Sequence, residues 1–108
     1  MNVRQWEVWK CAPPGFAKAH WFVILSNNER GASHKTQVNG LACFTLRGQP
    51  ASVDVRLNGA DGFSAPTVCA CDFAFVLDKA ALHSQLGSVS WERQQQIKAK
   101  LKEVLRLY

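Results

Sequence analysis

The stretch KAHWFVILSNN, residues 18–28, predicts a central strand of a β-sheet. Its apolar run has the length of a strand and lies between a turn-forming Pro-Pro-Gly at 13–15 and the polar segment NNERGASHK at 27–35. A continuous apolar run of this length is typical of a strand that is buried on both faces. We therefore predict a strand over residues 20–26, with Lys18 and His20 at its N-terminal end.

Other segments of the chain also have the residue pattern of strands. They are rich in aromatic and β-branched side chains, or alternate apolar with polar residues, and they are bounded by turn-forming residues. These predicted strands cover 4–11, 36–46, 51–57, 67–77 and 84–90. Gly40 indicates a bulge or a close approach of two backbones. Asp78 is in position to cap a single helical turn over 79–82.

The C-terminal segment has the spacing of an amphipathic helix. Ser90 is a suitable N-cap for a helix over 91–107. Its apolar residues recur on one helical face, at Ile97, Leu101, Val104, Leu105 and Tyr108. Short strands followed by one terminal helix indicate a mainly β protein, a small β-barrel with a C-terminal α-helix. We expect one domain over residues 1–108, with the helix packed over the barrel and its lysines in solvent.

The composition fits a folded protein whose core needs neither a disulfide nor a metal. Hydrophobic residues make up 47% of the 108 residues. The cysteines lack the C-x-x-C spacing of zinc and redox sites, and we expect all of them to be buried and reduced: Cys11, Cys43, Cys69 and Cys71. Because no signal peptide or membrane span is visible, we expect a cytoplasmic protein.

The charge of the chain is unevenly distributed. The formal net charge is +5, and residues 1–47 alone carry six Lys or Arg against two Glu, which gives +4. A basic half of this kind suits a polyanionic partner, because Lys and Arg displace the counterions of phosphates.

Four polar residues at strand ends of this basic half are candidates for a site. Lys18 and His20 open the second strand, and Thr45 and Arg47 end the third, so the two pairs converge if these strands are neighbours. Such a set suits cleavage of an RNA phosphodiester, which needs a proton acceptor for the 2′-OH and a cation for the developing charge. Histidine can exchange a proton near neutral pH. The other interpretation is that these are ordinary polar residues at strand ends.

We expect no metal and no cofactor. The three histidines, His20, His34 and His83, are far apart in sequence, and no metal-ligand spacing or glycine-rich phosphate loop is present.

Four stretches give the chain a resemblance to the MazF/PemK family of toxins from type II toxin–antitoxin modules. WEVW at 6–9 is similar to the family's opening motif, with Trp6 in place of a glycine. KAHWFVILS at 18–26 is similar to the second strand, with His20 and Trp21 in place of an arginine and a proline. ACFTLRG at 42–48 keeps the threonine of the third strand, and residues 67–105 follow the C-terminal half.

The resemblance implies an SH3-like barrel with a C-terminal helix, usually a homodimer, that cuts single-stranded RNA without a metal. It also implies an antitoxin protein that occupies the same groove, and no membrane. Carried over to this chain, catalysis falls to Thr45 and to His20 at the arginine position, with Lys18 and Arg47 holding the substrate.

The replacement of the family arginine leaves three functions open at the level of sequence. His20 can supply acid–base chemistry while Lys18 or Arg47 provides the cation, which gives an active endoribonuclease. Alternatively, the site is degenerate, and the barrel binds RNA, an antitoxin or another protein without cutting, since histidine lacks the bidentate phosphate clamp of arginine. The third function is that of a CcdB-type gyrase poison. Such a protein acts through a particular C-terminus, and the C-terminal residues of this chain, LRLY at 105–108, do not obviously resemble it.

Overall fold

A six-stranded antiparallel sheet and a C-terminal helix form the fold. The computed structural model describes residues 2–107. The strands are β1 (Glu7–Cys11), β2 (His20–Ile24), β3 (Gln37–Thr45), β4 (Asp54–Leu57), β5 (Thr67–Asp78) and β6 (Ser84–Ser88), and the helices are α1 (Asn28–Ala32) and α2 (Trp91–Leu105). Their order in the sheet is β4-β5-β3-β2-β1-β6, and every pair is antiparallel. The sheet curls into a half-barrel, and the predicted mainly β fold with a C-terminal helix is confirmed.

The predicted central strand is confirmed. Strand β2 lies between β1 and β3, and Phe22, Val23 and Ile24 have no exposed surface. Val23 contributes to a core between the sheet and α2, whereas Phe22 and Ile24 contribute to a second core on the other face of the sheet. The continuous apolar run is thus explained by burial on both faces.

Helix α2 covers the open side of the half-barrel over β4 and β5. Ile97 is fully buried in the core beneath it, and Leu101 packs at the edge of the same core. Leu105 differs from the prediction because it is 60% exposed at the end of the helix. Ser90 is the N-cap residue, as predicted, but its side chain makes no capping hydrogen bond. Tyr108 lies outside the described residues.

The sequence indicates a special backbone at two positions, Gly40 and Trp6. At Gly40 a Cβ would lie 2.8 Å from the side-chain atom Cδ1 of Leu77 and 3.3 Å from the backbone oxygen of Val23, so the tightest contact there is with a side chain. The bulge in the same strand lies between Leu41 and Cys43. Trp6, which stands where the resemblance places a glycine, has a left-handed backbone with φ of 73°, a conformation that glycine adopts with little strain.

The short helix α1 was not predicted, because five residues are too few to show a periodicity. Asn27 caps it by accepting a hydrogen bond from the backbone N–H of Arg30 at 2.8 Å. The turn after Asp78 is present over Lys79–Ala81, but the Asp78 side chain does not cap it. The four cysteines are buried and free, as predicted.

Candidate functional site

The ends of β2 and β3 border a cavity of about 600 Å³, here called the lysine cavity. Strand β2 begins at His20 and β3 ends at Thr45, and because the strands are antiparallel neighbours these two ends lie together. All four candidate residues line the cavity, together with residues from β1, β5 and the loop before β5. The lining is Lys10, Lys18, Ala19, His20, Trp21, Cys43, Phe44, Thr45, Arg47, Phe63 and Thr67.

The strand register places His20 and Thr45 on opposite faces of the sheet. Trp21 pairs with Cys43, so the next pair along the two strands is His20 with Phe44. Neighbouring side chains of a strand alternate between faces, which puts Thr45 on the face of Cys43 and Trp21. Because His20 and Thr45 are the terminal residues of their strands, both still border the same opening.

Aromatic rings hold the imidazole of His20. The ring of Phe16 meets it edge-on with centroids 5.1 Å apart, and the ring of Phe44 lies tilted against it at 5.3 Å. His20 is half-buried. His20 lines the lysine cavity.

Three cations face the cavity, and none of the carboxylates in the described part of the chain lines it. Lys18 and Arg47 are exposed, and Lys10 is half-buried with its Nζ atom 5.4 Å from the centroid of the Trp21 ring. Within residues 2–107 none of the three forms a salt bridge. Unpaired cations in a concave site attract an anion, and a phosphate is the anion that such a set binds well.

Sequence reasoning missed Lys10 and Thr67. Lys10 lies in β1 opposite Trp21, and Thr67 lies in β5 opposite Thr45. The Oγ1 atom of Thr67 donates to the carbonyl of Ala65 at 3.0 Å, so it supports the loop beside the cavity. The one sequence signal for Lys10 is a charged residue between Trp9 and Cys11 in an otherwise apolar strand end. Thr67 has no such signal.

The described part of the chain contains no group of three or more His, Cys, Asp or Glu side chains placed to hold a metal ion. It also contains no helix that is long and apolar enough to cross a membrane.

Comparison with known proteins identifies the fold. No protein-family model matches the sequence, and no curated protein matches it. Among solved structures, an endoribonuclease from a mycobacterial species in complex with its cognate antitoxin superposes with a TM-score of 0.84 and 24% identity, over 98% of this chain and 97% of that chain. The Mycobacterium tuberculosis toxin MazF-mt6 superposes with a TM-score of 0.79 and 19% identity, over 93% of this chain and 96% of that one.

A MazE–MazF structure from Deinococcus radiodurans gives a TM-score of 0.75 and 17% identity over 97% of this chain and 96% of that chain. The chain has the MazF fold. The fold expected from the MazF/PemK resemblance is therefore confirmed.

Proposed function

We propose that this chain is the toxin of a type II toxin–antitoxin module, and that it is an endoribonuclease that cleaves single-stranded RNA without a metal ion. The observation that carries the proposal is the lysine cavity, where three unpaired cations, a histidine and a threonine meet with no carboxylate among the lining residues. Its support from outside the chain is the shared fold with solved structures described as an endoribonuclease with its antitoxin and as MazE–MazF.

The chemistry that suits this cavity is attack by a ribose 2′-OH on the adjacent phosphorus. The 2′-oxygen forms a bond to phosphorus, the bond to the 5′-oxygen breaks, and one proton passes from the 2′-oxygen to the 5′-oxygen. The products are a 2′,3′-cyclic phosphate and a free 5′-OH. The catalytic requirements are a group that moves the proton and cations that stabilise the charge on the phosphorane.

We assign the proton transfer to His20 and a hydrogen bond to the phosphate to the hydroxyl of Thr45. Lys18 and Arg47 hold the phosphate, and we add Lys10, which shares the sheet face of Thr45. In this assignment the imidazole approaches the phosphate from one face of the sheet and the hydroxyl from the other. The rings of Phe16 and Phe44 fix the imidazole in the orientation that faces the cavity.

The proposal includes two protein partners. An antitoxin is expected to cover the lysine cavity and thereby silence the enzyme, and the chain is expected to form a homodimer. The antitoxin is supported by the solved structures of an endoribonuclease with its cognate antitoxin and of MazE–MazF. The homodimer is supported by the resemblance of residues 18–26 and 67–105 to the MazF/PemK family.

The test is incubation of the purified protein with a long single-stranded RNA in EDTA, followed by analysis of the fragment ends. We expect fragments with 2′,3′-cyclic phosphate and 5′-OH ends. The variants His20→Ala and Thr45→Ala are each expected to slow cleavage by about 10²- to 10⁴-fold, the usual contribution of a positioned proton-transfer group.

The matched control is Lys35→Ala, which removes an exposed cation outside the lysine cavity and is expected to leave the rate unchanged. RNA that stays intact with the wild-type protein, although it binds with a strong salt dependence, would overturn the assigned catalysis and leave a binding module. Absence of RNA binding would overturn the proposal as a whole.

A further inference from the structure

A second basic cavity adjoins the lysine cavity and has no role in the proposed cleavage. It has a volume of about 330 Å³ and lies between β4, the loop before β5 and the first turn of α2. Arg56 and Arg93 line it, and it is here called the arginine cavity. Phe63 and Thr67 line both cavities, so the two are neighbours.

Within residues 2–107 neither arginine of this cavity forms a salt bridge, although Arg93 donates a hydrogen bond to Oε1 of Gln96 at 2.9 Å. No Asp or Glu lines the arginine cavity. The carboxylates Asp54 and Glu103 line a neighbouring depression, which Arg56 and Arg93 also line. Both carboxylates have partners of their own, since Asp54 accepts a hydrogen bond from the backbone N–H of Ala51 at 2.8 Å and Glu103 pairs with Lys100 at 3.0 Å.

The arginine cavity is held in place by a buried carboxylate. Asp61 has no exposed surface, and its two oxygens accept hydrogen bonds from the backbone N–H groups of Asn58 at 2.9 Å and Ser90 at 2.8 Å. The loop after β4 is thereby tied to the residue that precedes α2. Since Arg93 lies in the first turn of α2, this tie fixes its position relative to Arg56 on β4.

The geometry points to the arginine cavity as a second phosphate subsite for the same single strand of RNA. This inference rests on the proposed function. One strand that has its cleaved phosphate in the lysine cavity can continue past Phe63 and Thr67 and place another phosphate between Arg56 and Arg93. Arginine binds phosphate in a bidentate manner, and the walls at Leu46 and Pro66 offer apolar surface to a ribose or a base.

The experiment measures binding of single-stranded oligonucleotides whose 2′-hydroxyls are methylated, so that they are not cleaved. We expect a trinucleotide to occupy chiefly the lysine cavity and a dodecanucleotide to be long enough to reach both cavities. Affinities are measured by fluorescence anisotropy over a series of salt concentrations for wild type, Arg56→Ala, Arg93→Gln and the control Arg4→Ala. Arg4 is exposed and lines neither cavity.

We expect each arginine variant to bind the dodecanucleotide several-fold more weakly, with the slope of log K against log salt reduced by about 0.7 for each lost contact. Binding of the trinucleotide, and all binding by Arg4→Ala, is expected to be unchanged. Equal affinity and slope for wild type and both arginine variants on the dodecanucleotide would overturn the inference, while the proposed cleavage would stand.

A different outcome assigns the cavity to a protein. If the arginine variants keep their RNA affinity but lose affinity for a polyglutamate peptide, the occupant is an acidic polypeptide and the RNA subsite is wrong. Failure of the wild-type protein to bind either oligonucleotide would overturn the proposed function together with the inference.

Discussion

The rings of His20 and Phe44 lie against each other on one face of the sheet, with their centroids 5.3 Å apart. Thr45, which follows Phe44 in β3, belongs to the other face, with Thr67 opposite it. The orientation of the His20 imidazole, the proposed proton-transfer group, therefore depends on the Phe44 ring. The orientation of the Thr45 hydroxyl, the proposed hydrogen-bond donor, does not.

Removal of the Phe44 ring is expected to slow cleavage without weakening RNA binding. Phe44→Leu removes the ring against His20 and allows the imidazole more orientations, so we expect kcat to fall by about 10- to 100-fold with KM nearly unchanged. Phe73→Leu is the control, because Phe73 contacts Phe44 and Phe75 but not His20. A rise in KM at constant kcat for Phe44→Leu would show that Phe44 binds RNA and does not position His20.

Gly31 is expected to tolerate no side chain. A Cβ at this position would overlap the backbone oxygen of Val3, a residue that is itself fully buried. Gly31→Ala forces the N-terminal segment away from α1, and we expect the free energy of unfolding to fall by about 2 kcal/mol or more. Gly59→Ala is the control, with no atom within 4 Å of the added methyl group. Urea unfolding of both variants measures the difference, and similar midpoints would contradict the expectation.

Lys79 is expected to stabilise the end of α1. Its side chain is only 7% exposed, and its Nζ donates to the carbonyls of Arg30 at 3.0 Å and Ser33 at 2.9 Å. Lys79→Met keeps the length of the side chain but removes the donor, so we expect a loss of about 1–2 kcal/mol in the free energy of unfolding. Lys35→Met, at an exposed position, is expected to change it by less than about 0.5 kcal/mol. An equal effect of the two substitutions would refute this role of Lys79.

The buried carboxylate of Asp61 is expected to be irreplaceable by an amide. Both of its oxygens accept from backbone N–H groups. The amide of asparagine has one acceptor oxygen, so in Asp61→Asn one N–H group faces an NH₂ group. We expect a loss of about 1.5–3 kcal/mol in the free energy of unfolding. Asp72→Asn, on the exposed part of β5, is the control. Thermal unfolding at matched pH gives the comparison, and an unchanged Tm for Asp61→Asn would contradict it.

The thiols are expected to be unreactive in the folded protein. Burial and the nearby Asp78 raise the pKa of Cys11, and a hydrogen bond with Cys43 raises that of Cys69. A hydrogen bond with Cys69, followed by burial, raises the pKa of Cys71. Because the thiolate is the reactive form, a raised pKa lowers the reactive fraction at any given pH. At pH 8 we expect these three thiols to react with a disulfide reagent far more slowly in native protein than in guanidinium. Equal rates would show that they are accessible.

Much of the fold follows from the sequence because the signals are local. The apolar run after His20 indicates a strand that is buried on both faces, and the spacing of Ile97 and Leu101 indicates a helix that is buried on one face. The sequence also places Lys18, His20, Thr45 and Arg47 at the ends of two strands that are consecutive in the chain. Their presence around one cavity follows once β2 and β3 pair.

Tertiary structure decided what depends on register and on contacts between distant residues. A shift of one residue in the pairing of β2 with β3 would turn His20 to the face of Thr45, and no local pattern fixes that pairing. The roles of Lys79 and Asp61 depend on carbonyls 46 to 49 residues away and on an N–H group 29 residues away. Likewise, Lys10 reaches the lysine cavity from β1, and the arginine cavity brings together Arg56 of β4 and Arg93 of α2. The sequence by itself determined which segments form the sheet and the helix, through the burial of apolar side chains. Only the tertiary structure decided which polar groups face one another.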